Sequence, residues 1–581
     1  MKGFFNQILS VDLTRGTFQQ EAVDDRIYKD YLGGKGVGTW LLSRRNPVGV
    51  DPMSPDNHII FATGPVTNTI TWGSSRYGVF TKSPLTGLYV ESYSGGRVPE
   101  AVSATGFDAV VIHGRAPGLT LLEINPDGAV FHDGSHLAGK DTFETEDEVK
   151  AFFAGEKKKG WKSGACVVGP AGEAGVACAV IKNDGWRCAG RGGTGAVLGS
   201  KNVKAVYFTG NKKQAPHDGK VLAALAKSMA AEAKDHPVVH AYKSMGTSQM
   251  VKIMNSANAF PTKYWTRGRA DHWEKISADA LHSRCEVHPH ACAKCYLSCG
   301  RMTRVLEGPH EGLVIEGPEY ETLYAFGGLC MVDSVEEIVR LNHVCDSLGM
   351  DTITGGNLCA FAMKAHEQGR SAYPIGFGDA GGIETLLSLI AKKEGVGGLL
   401  GRGIVHAARA WGMEEAAVHV KGMEPAGYDP RVLKGMGLAY ASSDRGACHL
   451  RATFYKPELA GMIPREQIRG KAGMFIDFED RLTLFDALIL CKFYRDLYPW
   501  ELLGEMVEAA TGCGGSKRQL SKIAQNISSL VREFNLREGM TPEDECLPKA
   551  FYTPLEDSGE VITKEDMAVL MSEYRDLRGW A

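Results

Sequence analysis

The pattern of the chain changes where Lys204-Ala-Val-Tyr-Phe208 gives way to Asn211-Lys-Lys-Gln-Ala-Pro-His-Asp218. Before this point, short β-branched or aromatic runs lie between Gly, Pro, Asn and Asp turns, a pattern that predicts strands. Further runs of this kind are His58–Phe61, Ala109–Ile112 and Leu119–Ile124. After it, apolar residues three and four positions apart predict helices at Val221–Lys234, Val335–Leu348, Ile383–Lys393, Leu482–Tyr494 and Leu520–Phe534.

These patterns predict an α+β protein of three domains. Residues 1–210 are expected to form a Gly-rich β-sheet domain that binds a cofactor, and the polar segment 211–218 begins the next unit. Two mostly α-helical domains, over residues 211–415 and 416–581, are expected to enclose that cofactor.

The composition of the chain excludes several classes of function. The 581 residues include 65 Lys+Arg and 69 Asp+Glu, a formal net charge of −4, which lacks the basic excess of a general nucleic-acid binder. No run of about 18 apolar residues occurs, so no membrane span is predicted, and the first residues lack the apolar core of a signal peptide. The 14 cysteines therefore indicate the cytoplasm, where clustered cysteines bind metals or act in catalysis. Glycine, at 70 residues, is about 12% of the chain against a usual ~7%.

Three cysteines lie close together in Cys292-Ala-Lys-Cys295-Tyr-Leu-Ser-Cys299. Three such cysteines plus one remote cysteine are a common ligand set for a [4Fe–4S] cluster. Zinc usually takes two paired Cys units, or Cys with His at a fixed offset, and Cys285, His288 and His290 lie just upstream. A zinc site therefore stays open, as does a set of three buried thiols without a metal. Cys491 is the predicted fourth ligand of a cluster.

The segment Asp346-Ser-Leu-Gly-Met-Asp351 is similar to Asp486-Ala-Leu-Ile-Leu-Cys491. Each begins with Asp, continues with small or apolar residues, and lies within or after a predicted amphipathic helix. Two such hexamers about 140 residues apart suggest two equivalent sites for two copies of one ligand, although two unrelated helix ends would give the same pattern. The second hexamer ends in the cysteine wanted for the cluster, which favours the binding role.

Three Gly-rich elements lie in the first domain: Gly73-Ser-Ser-Arg-Tyr77, Ser94-Gly-Gly96 and Arg187-Cys-Ala-Gly-Arg-Gly-Gly-Thr-Gly195. Free backbone N–H groups in such loops can bind an anion, and arginines can bind phosphate in a bidentate way. The third element matches neither the phosphate-binding loop of nucleotide hydrolases nor the dinucleotide fingerprint. A single Gly-rich loop is more often a turn, but several in one domain favour an extended, phosphate-bearing cofactor.

Taken together, the chain resembles the tungsten-containing aldehyde:ferredoxin oxidoreductases from its N-terminus to at least Cys491. The resemblance rests on the elements above and on Gly317-Pro-Glu-Tyr-Glu321 and Ser443-Asp-Arg-Gly-Ala-Cys-His449. It implies tungsten, or molybdenum, held by the dithiolene sulfurs of two pterins, a Mg²⁺ bridging the pterin phosphates, and one [4Fe–4S] cluster. The second hexamer departs from the family pattern by having Ile489 where Gly is usual.

The resemblance also implies roles for individual residues. Cys292, Cys295, Cys299 and Cys491 would ligate the cluster, and backbone carbonyls near Tyr93 and Cys188 would reach the Mg²⁺. Contacts to the pterins are implied for Arg76, Tyr93, Gly95, Arg187, Cys188, Ala189, Gly190, Arg191, Asp346, Asp351, Thr352, Arg451, Asp486 and Leu490.

Oxidation of an aldehyde needs a redox metal and a nearby acid or base that handles protons. Glu321 and His449 are the predicted acid–base residues, and Tyr320 and Tyr428 are predicted to hydrogen-bond the substrate oxygen. His449 is assigned only because of its motif, since a lone histidine in a helical region is often a satisfied core residue.

The expected activity is oxidation of aldehydes to carboxylic acids, or the reverse acid reduction, with electrons leaving singly through the cluster to ferredoxin or an iron–sulfur partner subunit. An oligomer or a heteromeric complex is expected. A catalytic subunit of the benzoyl-coenzyme A reductase type is the alternative within the family. A non-catalytic electron-transfer or zinc-stabilised subunit is the alternative from another class, and it would leave the arginine-bearing loops and the hexamers without a purpose.

Overall fold

The computed structural model describes residues 1–156 and 158–580. It confirms the predicted fold class, because β-sheets dominate the first 210 residues and helices dominate the rest. The strands are β1 (Gln7–Asp12), β2 (Thr17–Ala22), β3 (Ile59–Ala62), β4 (Tyr77–Lys82), β5 (Tyr89–Ser94), β6 (Ala109–His113), β7 (Thr120–Asn125), β8 (Gly128–Asp133), β9 (Lys162–Val167), β10 (Ile181–Asn183), β11 (Arg187–Ala189), β12 (Val203–Gly210), β13 (Cys285–His290), β14 (Gly300–Val305) and β15 (Val314–Glu316).

The two large sheets of the first domain have the same topology. Their strand orders are β2-β1-β6-β3-β4-β5 and β8-β7-β12-β9-β10-β11, so each strand of the first sheet has its counterpart six strands later in the second. The pairing agrees as well, since β1 runs parallel to β6 and β7 parallel to β12, while the other neighbours are antiparallel. The first domain is therefore an internal structural repeat.

A shared apolar core joins the two sheets. Buried side chains from both sheets form one cluster, and the rings of Phe61 on β3 and Phe208 on β12 lie 5.6 Å apart. Apolar residues on the facing sides of two packed sheets are removed from water in this way. The resulting β-sandwich supports the loops at its ends.

Helices are interspersed between the strands of the sheet domain and form most of the remaining chain. They are α1 (Asp25–Tyr31), α2 (Gly34–Arg45), α3 (Val98–Ala104), α4 (Thr142–Phe152), α5 (Pro170–Glu173), α6 (Thr194–Ser200), α7 (Gly219–Glu232), α8 (Pro237–Met245), α9 (Met250–Ser256), α10 (Ala278–Arg284), α11 (Tyr320–Thr322), α12 (Val335–Leu348), α13 (Thr352–Glu367), α14 (Ala380–Lys392), α15 (Val396–Leu400), α16 (Ile404–Trp411), α17 (Lys434–Ser442), α18 (Tyr455–Leu459), α19 (Lys471–Leu488), α20 (Trp500–Thr511), α21 (Lys517–Arg537) and α22 (Lys564–Arg578). Within the described part of the chain, none of the helices has the length and apolarity that crossing a membrane requires.

Two details of the sequence prediction are wrong. The helix predicted over Leu482–Tyr494 ends at Leu488, because Ile489 adopts the left-handed conformation, so Cys491 lies after a helix rather than inside one. His449 lies in the loop between α17 and α18 and not in a helix. At the end of α19, apolar spacing continues past the point where the backbone turns, through Ile489, Leu490 and Phe493.

The two hexamers have the same backbone geometry. In each, the helix ends at the third residue, and the fourth is left-handed: Gly349 has φ 74° and ψ 47°, and Ile489 has φ 57° and ψ 46°. The N–H of the fifth residue then donates to the carbonyl five positions back, at 2.9 Å and 2.7 Å respectively. This is one helix-ending motif used twice, and Ile489 accepts a conformation that costs a side-chain-bearing residue roughly 1–2 kcal/mol.

Each hexamer packs against one of the two sheets. Gly64 follows β3, and Gly169 follows β9, its counterpart in the second sheet. A Cβ added at Gly64 would lie 2.1 Å from the carbonyl oxygen of Leu488, and one added at Gly169 would lie 2.5 Å from that of Leu348. The repeat of the sheets thus extends to the helix ends that carry the hexamers.

Candidate active site

Two neighbouring cavities collect the predicted site residues. The larger cavity, of about 340 Å³, is lined by Arg76, Tyr93, Cys188, Gly190, Arg191, Glu321, Asp346, Asp351, Thr352, His449, Asp486, Leu490 and Cys491 among others. The cysteine cavity, of about 250 Å³, is lined by Arg76, Tyr93, Gly95, Arg187, Cys188, Cys292, Cys295, Cys299 and Cys491 among others. Residues common to both, such as Arg76 and Cys491, form the wall between them.

The other four predicted residues are buried behind these walls. Tyr320 is 1% exposed and its hydroxyl donates to the carbonyl of Gly427, so this hydroxyl is occupied away from the larger cavity. Ala189 and Arg451 are also buried. Tyr428 stacks on the ring of His449, with centroids 5.5 Å apart, and so supports that imidazole from behind.

The cysteine cavity is built where three segments meet, those that contain Gly73, Lys294 and Cys491. The N–H of Gly73 donates to the carbonyl of Lys294 at 2.7 Å, and the N–H of Cys491 donates to the carbonyl of Gly73 at 2.9 Å. Burial raises the pKa of the Cys292 thiol, while the positive charges of Arg187 and Arg76 oppose that rise. Arginines beside cysteine sulfurs favour thiolates, which are the form that ligates metals.

The arrangement of the cysteines distinguishes between the metal alternatives. Among residues 1–156 and 158–580, no group of three or more His, Cys, Asp or Glu side chains is arranged to hold a single metal ion. The four cysteines instead surround a space of about 250 Å³. A space of this size is larger than one zinc ion occupies, and it fits a ligand set for a multinuclear group.

Arg76 joins the two cavities. One terminal nitrogen lies 4.0 Å from the sulfur of Cys491, and the other donates to the carbonyl of Tyr93 at 3.2 Å. The side chain thus lies between the cysteines and the end of β5.

The first hexamer presents its two aspartates to basic residues of the second sheet. Asp346 accepts from Lys182 in a buried ion pair and from the amide of Asn342 at 2.8 Å. Asp351 caps α13 by accepting from the N–H of Ile353, and lies 3.1 Å from Nε of Arg191. The cap of α13 is by itself a sufficient reason for an aspartate at position 351. The argument for a binding role therefore rests on the charge pair of Asp351 with Arg191.

The second hexamer lies in a denser charge network. Asp486 accepts from Arg451 at 2.9 Å and from Lys492 at 2.7 Å. Arg451 also pairs with Glu91, and Glu91 accepts from Lys35 at 3.0 Å. Buried charges are tolerated when they are paired in this way.

Glu321 and His449 face each other in the larger cavity. Nε2 of His449 lies 3.5 Å from Oε1 of Glu321, and the other carboxylate oxygen accepts from the N–H of Gly427 at 3.0 Å. Glu321 lies on α11, directly before the π-helical turn Leu323–Leu329, a helix form that often occurs at functional sites. The pair unites two sequence motifs that are 128 positions apart.

Burial sets the protonation of this pair. It raises the pKa of Glu321 from its ordinary value to about 7, although the Gly427 N–H and Arg191 oppose the rise. Burial and the positive charges of Arg191 and Arg445 hold the pKa of His449 well below its ordinary range. Near pH 7 the imidazole is therefore neutral and the carboxyl is close to its midpoint, which suits acid–base catalysis.

The two comparisons with family sequence models decide the classification. The model of the "Aldehyde ferredoxin oxidoreductase, N-terminal domain" matches residues 8–210, and that of "Aldehyde ferredoxin oxidoreductase, domains 2 & 3" matches residues 224–581. The chain belongs to the aldehyde ferredoxin oxidoreductase family.

Individual relatives match this chain over its whole length. The tungsten-containing aldehyde ferredoxin oxidoreductase of Pyrococcus furiosus is 34% identical, over 100% of this chain and 97% of that relative. The aliphatic sulfonate oxidoreductase, WOR-like subunit, of the same organism is 26% identical, over 100% and 95%. Among solved structures, the active site complex BamBC of benzoyl coenzyme A reductase with 1,5-dienoyl-CoA matches with a TM-score of 0.84 at 24% identity, covering 100% of this chain and 95% of that one, which shows a common fold.

The larger cavity has the donors that a phosphate-bearing, anionic cofactor of this family requires. Trp186 and Arg445 line it, and each has a buried N–H without a protein hydrogen-bond partner. Two nitrogens of Arg451, which is buried behind the cavity wall, also have no protein hydrogen-bond partner. Buried donors are almost always satisfied in folded proteins, so orphans concentrated around one cavity fit a bound group.

Sequence reasoning missed several residues of this family site. Lys35, Glu91 and Lys492 belong to the charge network around the second hexamer, and Arg445 lines the larger cavity. A signal was present for Lys35, which lies in the Gly-rich run Gly33-Gly-Lys-Gly36 at the start of α2. Glu91 carried no local signal, because it lies within an ordinary strand.

Proposed function

We propose that this chain is a tungsten-containing oxidoreductase that oxidises aldehydes to carboxylic acids, with electrons passing singly through a [4Fe–4S] cluster to ferredoxin or to an iron–sulfur partner subunit. The observation that carries the proposal is the Glu321–His449 pair in a cavity that shares a wall with a four-cysteine cavity. The relatives that are 34% identical to this chain over its whole length are tungsten-containing aldehyde ferredoxin oxidoreductases. Their activity supports the same chemistry here.

The residues divide among the proposed cofactors. The hexamers of Asp346 and Asp486, with Arg187, Arg191 and Arg451, would hold the two pterins. The carbonyls of Tyr93 and Cys188, which lie on the counterpart strands β5 and β11, would face a Mg²⁺, and the four cysteines would hold the cluster. The donor types agree with these groups, since arginines suit phosphates, carbonyl oxygens suit Mg²⁺ and thiolates suit iron–sulfur clusters.

The proposed reaction is aldehyde plus water giving carboxylic acid, two electrons and two protons. When bound, the tungsten–pterin group held by the hexamers and arginines would supply the two-electron oxidation, and the group held by the four cysteines would supply single-electron transfer. Glu321, whose pKa lies near 7, takes a proton from the attacking water or from the hydrated aldehyde. Neutral His449 donates an N–H to the substrate oxygen and orients it, and the second proton leaves to water because the low pKa of His449 makes it a poor base. Tyr428 stacks behind His449 and keeps its ring in the plane that faces Glu321.

A partner is needed because a single cluster cannot carry electrons far from the site. The relative whose name identifies it as a WOR-like subunit supports an assembly with a further iron–sulfur chain. Soluble ferredoxin is the other acceptor, and it is the one named for the relatives that are 34% identical.

Metal and substrate measurements on anaerobically purified protein test the proposal. About one tungsten and four iron atoms per chain are expected, together with aldehyde-dependent reduction of a viologen dye. An aryl-CoA thioester, assayed with a low-potential donor, is the discriminating substrate and is expected to be inactive. Zinc without tungsten, or activity on the thioester alone, would contradict the proposal.

A further inference from the structure

Arg445 is a buried guanidinium in the wall of the larger cavity. It is 4% exposed and lies in the loop between α17 and α18 that also carries His449. One terminal nitrogen donates to the carbonyl of Glu91, and the other donates to the sulfur of Cys448 at 3.0 Å. Its Nε–H is buried and has no hydrogen-bond partner in the protein.

This cation lacks a counter-ion in the described part of the chain. No Asp or Glu among residues 1–156 and 158–580 forms an ion pair with Arg445, whereas the neighbouring Arg451 pairs with both Glu91 and Asp486. An unpaired charge in a protein interior costs several kcal/mol. Burial lowers the pKa of Arg445, but Cys448 and Asp444 outweigh this effect and favour the charged form. They leave the buried Nε–H unsatisfied, so this donor is available to an anionic ligand from outside the chain.

Cys448 fixes the orientation of this guanidinium. Its sulfur is 1% exposed and accepts from the N–H of Leu450 at 3.3 Å as well as from Arg445. Each terminal nitrogen has one bond of this kind, whereas Nε is the nitrogen of the group that has no protein partner at all and is free to bind a ligand. The positive charge acts on the catalytic pair as well, because Arg445 contributes to the lowered pKa of His449.

We propose that Arg445, oriented by Cys448, is the residue that binds an anionic group in the larger cavity beside His449. The inference rests on the proposed function for the identity of the anion, which is either an anionic atom of the pterin cofactor or the carboxylate of the product acid. Cys448 is a positioning residue in this scheme, since it acts through Arg445. Neither residue was identified from the sequence pattern.

The first experiment compares Arg445→Gln and Arg445→Lys with the wild type, using anaerobically purified holoenzyme. A loss of tungsten per chain of about tenfold or more in Arg445→Gln, less in Arg445→Lys, identifies the cofactor as the anion. Full tungsten content with an inhibition constant for the product acid raised about tenfold, the value of one charged hydrogen bond, identifies the carboxylate. Unchanged tungsten content together with unchanged product inhibition overturns the proposal.

A second measurement stays informative even if the proposed function fails. In full-length chain from cells grown without tungstate or molybdate, Arg445→Gln is expected to have a melting temperature equal to or above that of the wild type, because it removes a buried N–H donor that the protein leaves unsatisfied. A clearly lower melting temperature would show that Arg445 serves the fold, and would overturn the proposal without reference to the reaction.

The Cys448 substitutions test the positioning role. Cys448→Ala is expected to show part of the Arg445→Gln defect, either the loss of tungsten or the raised inhibition constant for the product acid. Cys448→Ser keeps a hydrogen-bond acceptor and is expected to behave like the wild type in the same measurement. Cys359→Ala is the matched control, since this thiol is fully buried in α13 and lies outside both cavity linings. Equal effects of Cys448→Ala and Cys359→Ala would refute the positioning role.

Discussion

The protonation of Glu321 makes a quantitative prediction about the pH dependence of catalysis. The carboxyl acts as a base in the proposed reaction, so only its ionised form is active. With the pKa raised to about 7 by burial, about half of the enzyme is active at pH 7 and about one part in a hundred at pH 5, a decrease in kcat/KM of about 50-fold. An exposed glutamate, with a pKa near 4.3, would give almost no change over this range.

The assay is anaerobic aldehyde oxidation with a saturating viologen acceptor between pH 5 and pH 9. Glu321→Gln is expected to lower kcat by about 10²–10⁴-fold while the metal content stays that of the wild type. The residual activity should have no acid limb near pH 7. Samples held at pH 5 and returned to pH 7 must regain full activity, which separates titration from denaturation.

Glu424→Gln is the matched control for this experiment. Burial raises the pKa of Glu424 to about 7 as well, but this carboxylate accepts from Thr354 at 2.9 Å and lies outside the lining of the larger cavity. Its replacement should leave the acid limb in place. The reasoning is refuted if Glu424→Gln removes the limb, or if Glu321→Gln keeps it.

Three further substitutions test the cluster, the hexamer geometry and the charge network. Cys491→Ala should lower iron per chain and remove the cluster signal from electron paramagnetic resonance, whereas Cys188→Ala, in the same cavity wall, should leave both unchanged. Gly349→Ala should lower the free energy of unfolding by about 2 kcal/mol or more in urea titrations, since φ is 74° and the new Cβ would lie 2.9 Å from a backbone nitrogen. The control is Gly369→Ala, which is also at positive φ but in open space. It should lower the free energy of unfolding by only about 1 kcal/mol. Arg451→Leu should cost about 2 kcal/mol in the same titration because the buried carboxylates of Glu91 and Asp486 each lose one of their two cationic partners, and a change below 1 kcal/mol would show that the network is solvated.

Local signals in the sequence were sufficient for much of the fold. The turn-bounded run Ala109–Ile112 is β6, and the amphipathic stretch Val335–Leu348 is α12 with the same bounds. Such segments are decided by neighbours a few positions away, and periodicity reports those neighbours. The end of α19 was missed because a β-branched residue, Ile489, occupies a left-handed position in which glycine is the usual signal.

The charge network could not be predicted, for a different reason. Lys35 contacts Asp444 at 2.6 Å across 409 positions of sequence, and Glu91 becomes a partner of Arg451 only when β5 meets the loop after α17. Pairs of this kind depend on tertiary structure, which spacing along the chain does not encode. Arg445 lay inside a quoted motif, but its importance depends on the absence of a partner, and that is a property of three-dimensional surroundings.

The repeated order of the two sheets implies how such a site could originate. The last strands of each repeat, β5 and β11, lie against each other, and both contribute residues to the same cavity, Tyr93 from one and Cys188 from the other. Each half of the first domain therefore builds half of a pocket. A half-length ancestor would have had to associate with its own copy across a two-fold axis before either could enclose a ligand, and fusion of the two genes would have made that encounter independent of concentration. Fusion would also let the two halves diverge, so that a single asymmetric group of cysteines could lie beside a pocket whose strands keep a repeated order.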